Sequence, residues 1–256
     1  MRLAGEIALV TGSTAGIGRE IAHRFGAEGA RVAVTGRDTG RGHAVVDAIA
    51  SAGGQAAFFA ADLDDEDACS TLVSQVGEQL GDVTVLVNNA VAATAGRDGP
   101  VAEVATRDWD AIIRVNLTAV MWLCRAVIPR MIRAGHGSIV NISSRQAERA
   151  SPGFAAYIAS KGGLNALTRS IAVDYATHGI RCNTISPGYV LNDRRDADIS
   201  PERRARMEGM HLTRLGIAAD VAAAAVYFAS RESEFVTGVN LPLDGGSSIA
   251  RGLVLG

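Results

Sequence analysis

The stretch EIALVTGSTAGIG, Glu6 to Gly18, decides the fold. Its first half, EIALVT, is a short β-branched run that reads as a strand covered on both faces. Its second half, TGSTAGIG (Thr11 to Gly18), is a glycine turn that opens into a helical pattern over 17–28. Glycines at such a turn admit a tight bend and let backbone N–H groups reach an anion at the helix N-terminus. A glycine-rich loop alone is weak evidence, since a plain strand–helix turn has the same composition; after a strand and before a helix, it points to a dinucleotide site. No Gly-Lys-Ser/Thr follows, which disfavours a P-loop.

The same rhythm runs outward along the chain. Further strands read at 31–35, 56–60, 83–87, 138–143, 180–185 and 239–243, and helices near 17–28, 64–79, 101–133, 154–178 and 218–230. Apolar strands alternating with helices predict an α/β doubly wound (Rossmann) fold, a mainly parallel sheet of about seven strands with helices on both faces. No linker or internal repeat divides residues 1–256, so a single dinucleotide-binding domain is expected. The stretch 189–217 breaks the rhythm. It is long and polar, with its arginines balanced by Asp193, Asp196, Asp198, Glu202 and Glu208, and reads as a solvated, mostly helical substrate flap.

Composition excludes several functions. A net charge of −2 gives no cause to expect nucleic acid or an anionic membrane as partner. The run Val221–Ala229 is far short of a bilayer span, and the N-terminus shows no signal-peptide pattern. Cys69, Cys124 and Cys182 are widely spaced and odd in number, which suggests buried thiols, and no histidine spacing suggests a metal site. A cytoplasmic protein without a metal is expected.

At the end of the second strand, VTGRD places Arg37 where a site selective for NAD would place an acid. An arginine pairs with a 2′-phosphate, whereas a carboxylate repels it. Asp38 also lies near the acidic position of the general fingerprint, or else caps a helix starting near Gly40. On charge, NADP(H) is favoured over NAD(H).

The segment YIASK, Tyr157 to Lys161, contains the only lysine among the chain's 25 lysines and arginines. With four tyrosines, chance placement of that lysine at Tyr+4 is below about two per cent. The two residues share one helix face. An ammonium is a compact cation with three donors, which the guanidinium fork cannot imitate. A tyrosine serves as a base near neutral pH only if its phenolate is stabilised, and a nearby cation does this only in a partly desolvated cleft. Ser144, or its neighbour Ser143, follows the strand at 138–143 and stands at the carboxyl edge of the sheet, where either could meet a substrate oxygen or cap a turn.

Taken together, TGSTAGIG, NNA (88–90), Asn116, Ser144, YIASK and SPG (186–188) resemble the compact branch of the short-chain dehydrogenases/reductases, over about residues 5–246. The resemblance implies an oxidoreductase interconverting a secondary alcohol and a ketone by hydride transfer. It implies Tyr157 as general acid/base, Ser144 as the partner of the substrate oxygen, and Lys161 as holder of the nicotinamide ribose that also lowers the tyrosine pKa. Asn116, within the helix at 101–133, would fix the water of a proton relay. It further implies Gly12, Ser13, Gly16, Ile17 and Gly18 near the pyrophosphate, Asp62 and Leu63 near the adenine, and Asn89 near the ribose. Pro187, Gly188, Val190 and Asn192 would lie near the nicotinamide. Val91 replaces a usual glycine and Asn192 a usual threonine. The resemblance implies a homo-oligomer, tetramer or dimer, built on the helices at 101–133 and 154–178; Gly162 and Gly163 inside the second of these also suggest close packing. A 3-oxoacyl-thioester reductase is the alternative within the class, and a dinucleotide-binding regulator without turnover the alternative outside it.

Overall fold

The computed structural model describes residues 1–193 and 195–249. All seven expected strands form, as β1 (Ile7–Val10), β2 (Arg31–Gly36), β3 (Gln55–Ala60), β4 (Val85–Asn88), β5 (Gly137–Ile142), β6 (Ile180–Pro187) and β7 (Asn240–Leu243). They make one sheet in the order β3-β2-β1-β4-β5-β6-β7, every pair parallel. The order reverses between β1 and β4. That is the switch point at which the carboxyl ends of neighbouring strands diverge and leave a crevice.

Strand residues alternate between two cores because successive side chains point to opposite faces. Leu9, Leu86, Ile139 and Cys182 join one core, while Ala8, Val10, Val87, Val140 and Ile185 join the other. The second core is closed by α1 (Gly16–Ala27) and α2 (Thr39–Ser51), with contributions from Phe25 and Ile49. The first is covered by α3 (Glu66–Gln79), by α5 (Ala119–Ala134), which follows α4 (Thr106–Ile113), and by α6 (Ala155–Tyr175). Full burial of each such Leu or Phe contributes about 1.5–3 kcal/mol, which fixes the register of the strands and so the position of their ends.

Two expectations need correction. The helix at 101–133 begins only at Thr106 and is not uniformly α-helical: Arg114–Thr118 forms a π-helical turn between α4 and α5, and Asn116 lies in it. Such a turn adds a residue to the helix and re-aims the side chains around it. By length and composition alone Thr106–Ala134 could cross a bilayer, but Ile112, Leu123, Val127 and Met131 are buried within the protein. The flap at 189–217 is less helical than its composition suggests. Among the described residues its one helix is α7 (Pro201–Glu208), capped by Ser200; α8 (Ala218–Ala229) follows the flap and returns to the sheet.

Candidate active site

A cavity of about 1130 Å³ opens along the carboxyl edge of the sheet. It runs from Arg37, Asp38 and Asp62 at one end to Ser144, Tyr157 and Lys161 at the other. Gly12, Gly16, Ile17, Leu63, Asn89, Pro187, Gly188, Val190 and Asn192 also line it.

The glycine turn is held by the side chains of Thr11 and Asn89. Thr11 accepts from the backbone N–H groups of Asn89 and Ala90, and the Asn89 side chain donates to the carbonyls of Thr11 and Gly12. Gly16 has φ +53°, and a Cβ there would come within 2.8 Å of the Asn192 side chain. At Gly18 a Cβ would fall 2.4 Å from both the Asn89 side chain and the Gly12 carbonyl oxygen. The turn and the first turn of α1 are therefore drawn in where bulk is forbidden, which suits a cradle for a phosphate-bearing ligand. Gly18 shapes that cradle from behind without lining the cavity. Ser13 differs from expectation, because it is fully buried and does not line the cavity. Its hydroxyl donates to the Val10 carbonyl at 2.7 Å and accepts from the Thr35 N–H at 2.9 Å, fastening the turn to β1 and β2.

At the end of β2, Asp38 is the N-cap of α2. It accepts from the Arg41 N–H and pairs with the Arg41 side chain at 2.8 Å. Its charge is thus engaged by the helix and by Arg41, while Arg37 is exposed at the cavity wall.

At the opposite end, three chain segments meet. Lys161 is 3% exposed, and its Nζ donates to the Ile142 carbonyl at the end of β5 at 2.8 Å. That bond ties α6 to the strand preceding Ser144 and leaves two donors of the ammonium without a protein partner among the described residues. The Nζ lies 5.8 Å from the centre of the Tyr157 ring. Of the two serines, Ser143 is buried and donates to the Lys161 carbonyl, whereas Ser144 is partly exposed and caps the turn at Arg145–Ala147.

Burial raises the Tyr157 phenol above its usual pKa, and the Ser144 hydrogen bond and the Arg195 charge offset part of that rise. Burial also lowers Lys161 to about 8. Desolvation is the largest influence on both groups. The phenol is protonated at neutral pH, and Lys161 sheds its charge close above it.

Asn116 is 1% exposed and lies behind the cavity wall. Its oxygen accepts from the Ala92 N–H at 2.8 Å, and its amide donates to Ser160 at 3.1 Å. Val91 is 54% exposed on the wall, and no described non-glycine residue has positive φ, so its replacement of glycine requires no left-handed backbone.

Besides Arg41, two further arginines that the sequence did not single out line the cavity. Arg195, from the flap, donates to Asp196 and to the Val190 carbonyl and stacks 4.6 Å from the Tyr189 ring. The Tyr189 hydroxyl donates to the same carboxylate at 2.6 Å, and these contacts hold Asp196 down at about 2. Arg97 comes from the loop after β4 and pairs with Asp108. Neither could be found by motif, because each sits in a segment without periodicity. Among the described residues, no group of three or more His, Cys, Asp or Glu is placed to hold a metal ion.

A family model described as enoyl-(acyl carrier protein) reductase matches residues 12–248. A 3β-hydroxysteroid dehydrogenase from Mediterraneibacter gnavus is 38% identical, with 94% of each chain covered. A solved gluconate 5-dehydrogenase from Burkholderia cenocepacia, in complex with NADP and tartrate, superposes with a TM-score of 0.90 at 32% identity and 98% coverage of both chains. A 7α-hydroxysteroid dehydrogenase complexed with NADH and 7-oxo glycochenodeoxycholic acid gives 0.90 at 34% identity, covering 96% of this chain and 95% of that one.

Proposed function

The chain belongs to the short-chain dehydrogenase/reductase family and is an oxidoreductase of secondary alcohols and ketones that depends on a nicotinamide dinucleotide; from that premise we propose that Tyr157, Ser144, Lys161 and Asn116 carry its chemistry and that NADP(H) is the preferred cofactor. The drawn-in glycine turn, the elongated cavity and the two unengaged Lys161 donors fit a dinucleotide laid from Arg37 to Tyr157. When bound, the nicotinamide supplies or accepts the hydride.

The protein manages the proton. In reduction, the Tyr157 hydroxyl gives its proton to the carbonyl oxygen as that oxygen gains charge; in oxidation, the phenolate takes it back. Ser144 donates a hydrogen bond to the same oxygen, where charge develops in the transition state. Lys161 stabilises the phenolate left behind. Its ammonium lies over the Tyr157 ring, and a cation so near a phenolate is attracted to it most strongly where water is excluded. Asn116 holds the loop after β4 to α6, which keeps this end of the wall in place.

The carrying observation is that the chain's only lysine is buried against the wall that also presents Tyr157 and Ser144, in the cavity formed by the glycine turn. A regulator that merely bound the dinucleotide would have a use for the lysine, but none for an acid/base tyrosine and a serine beside it. The preference for NADP(H) is supported by Arg37 standing exposed while Asp38 is engaged by Arg41. Relatives complexed with either dinucleotide leave the preference to these residues.

A homo-oligomer is supported by α6. Gly163 abuts Leu117, but a Cβ on Gly162 would meet nothing within 4 Å, and Val173 is 79% exposed on the same helix. The segment 189–217 is assigned as the substrate flap, and the free, buried cysteines suit a cytoplasmic setting.

The test is consumption of NADPH and NADH against a carbonyl panel with ketosteroids, oxo-sugar acids and 3-oxoacyl thioesters. Turnover with at least one ketone, faster with NADPH, is expected. Binding of NADPH with no consumption on any carbonyl would favour the regulator, and equal efficiency with NADH would remove the cofactor preference.

A further inference from the structure

The first turn of α6 has no cap of its own: Phe154 stands at the N-cap and offers no side-chain acceptor. A helix start leaves backbone N–H groups without intrahelical partners, and such groups need acceptors when they are partly buried. Here the acceptor comes from 58 residues earlier in the chain. The Asp98 carboxylate accepts from the Ala156 N–H at 3.0 Å through one oxygen and from the Tyr157 N–H at 2.9 Å through the other. The adjoining Gly99 carbonyl accepts from the Ala155 N–H at 3.2 Å.

The other side of the Tyr157 backbone is held from the same loop. The Tyr157 carbonyl accepts from Ser160 at 2.7 Å, Ser160 accepts from the Asn116 amide at 3.1 Å, and the Asn116 oxygen accepts from the Ala92 N–H at 2.8 Å. The loop after β4 thus grips Tyr157 at its N–H through Asp98 and at its carbonyl through Asn116 and Ser160. That loop also carries Asn89, which holds the glycine turn.

We propose that Asp98 is a positioning residue for Tyr157, fixing the phenol relative to the cofactor loop. The proposal rests on the acid/base reading of Tyr157. Catalytic groups need placement to a fraction of an ångström, and an error of 1 Å can cost about 100-fold in rate. A carboxylate that touches only backbone would then act on turnover far more than on cofactor binding.

Asp98→Ala and Asp98→Asn are compared with Asp65→Ala, which removes the N-cap carboxylate of α3 and so a similar pair of backbone hydrogen bonds. We expect kcat to fall at least about 30-fold in Asp98→Ala and less in Asp98→Asn, which keeps one amide oxygen as acceptor. The Kd for reduced cofactor should stay within about threefold, and amide hydrogen exchange at Ala156 and Tyr157 should accelerate. Asp65→Ala should lower Tm and keep its kcat. A kcat for both Asp98 variants within about twofold of wild type, or unchanged exchange at Ala156 and Tyr157, would overturn the proposal. If Asp98→Ala does not fold, Asp98→Asn alone decides it on the same two readouts. Tyr157→Phe is measured alongside. Should that variant turn over normally, the acid/base reading fails, and the exchange experiment still reports separately on whether Asp98 holds this turn.

Discussion

The two ends of the cavity are built on different principles. At the end that holds the glycine turn, the turn itself is one contiguous stretch defined by where side chains are missing, and the polar residues Arg37, Asp38 and Asp62 flank it from the ends of β2 and β3. The end at Tyr157 is assembled from side chains of β5, α6, the flap and the loop after β4, and its lysine is buried. The first is a matter of shape and fixed N–H groups. In the second, the protonation states of groups removed from water decide the outcome. Damage at the first end should therefore appear in cofactor affinity, and damage at the second in turnover.

The largest effect expected by this contrast is at the lysine. Lys161→Arg keeps a charge but replaces a compact ammonium bonded to the Ile142 carbonyl with a bulkier fork. Turnover should fall on the order of 100-fold with an unchanged circular dichroism spectrum. Near wild-type kcat would erase the distinction between the ends. Next is Gly18→Ala, whose Cβ would intrude to 2.4 Å of the Gly12 carbonyl oxygen and the Asn89 side chain. Overpacking of this kind costs about 1–3 kcal/mol, and a fluorescence titration should show roughly 30-fold weaker cofactor binding. Arg37→Ala should raise the Kd for NADPH about tenfold and leave that for NADH alone, the loss of one charge-assisted pair.

The smallest effect is in pH. Lys161 loses its proton near about 8, so the rate of ketone reduction should be level below that pH and reach half its plateau there. The raised pKa of Tyr157 keeps the proton donor intact through the same range. A reduction rate that stays flat to pH 10 would show that the lysine charge does not contribute.

The same contrast explains what the sequence could disclose. Seven strands were legible because parallel strands covered on both faces read as unbroken apolar runs, and the glycine turn because its pieces are consecutive. Tyr157 and Lys161 were legible because a helix brings i and i+4 together. The π turn at Asn116 was not, since its 114–118 stretch has the composition of any helix. Ser13 read as a cofactor contact, yet its hydroxyl turns inward to β1 and β2. Arg195 and Asp98 depend on tertiary placement of irregular segments, where no period marks which way a side chain faces.

The acid/base assignment is tested most directly by Tyr157→Phe, measured for both ends on one preparation. With a ketone that the wild type reduces, consumption of reduced cofactor should fall by at least about 1000-fold while the cofactor Kd stays within about threefold. Retention of more than a tenth of wild-type turnover would contradict the assignment of Tyr157 as the proton donor.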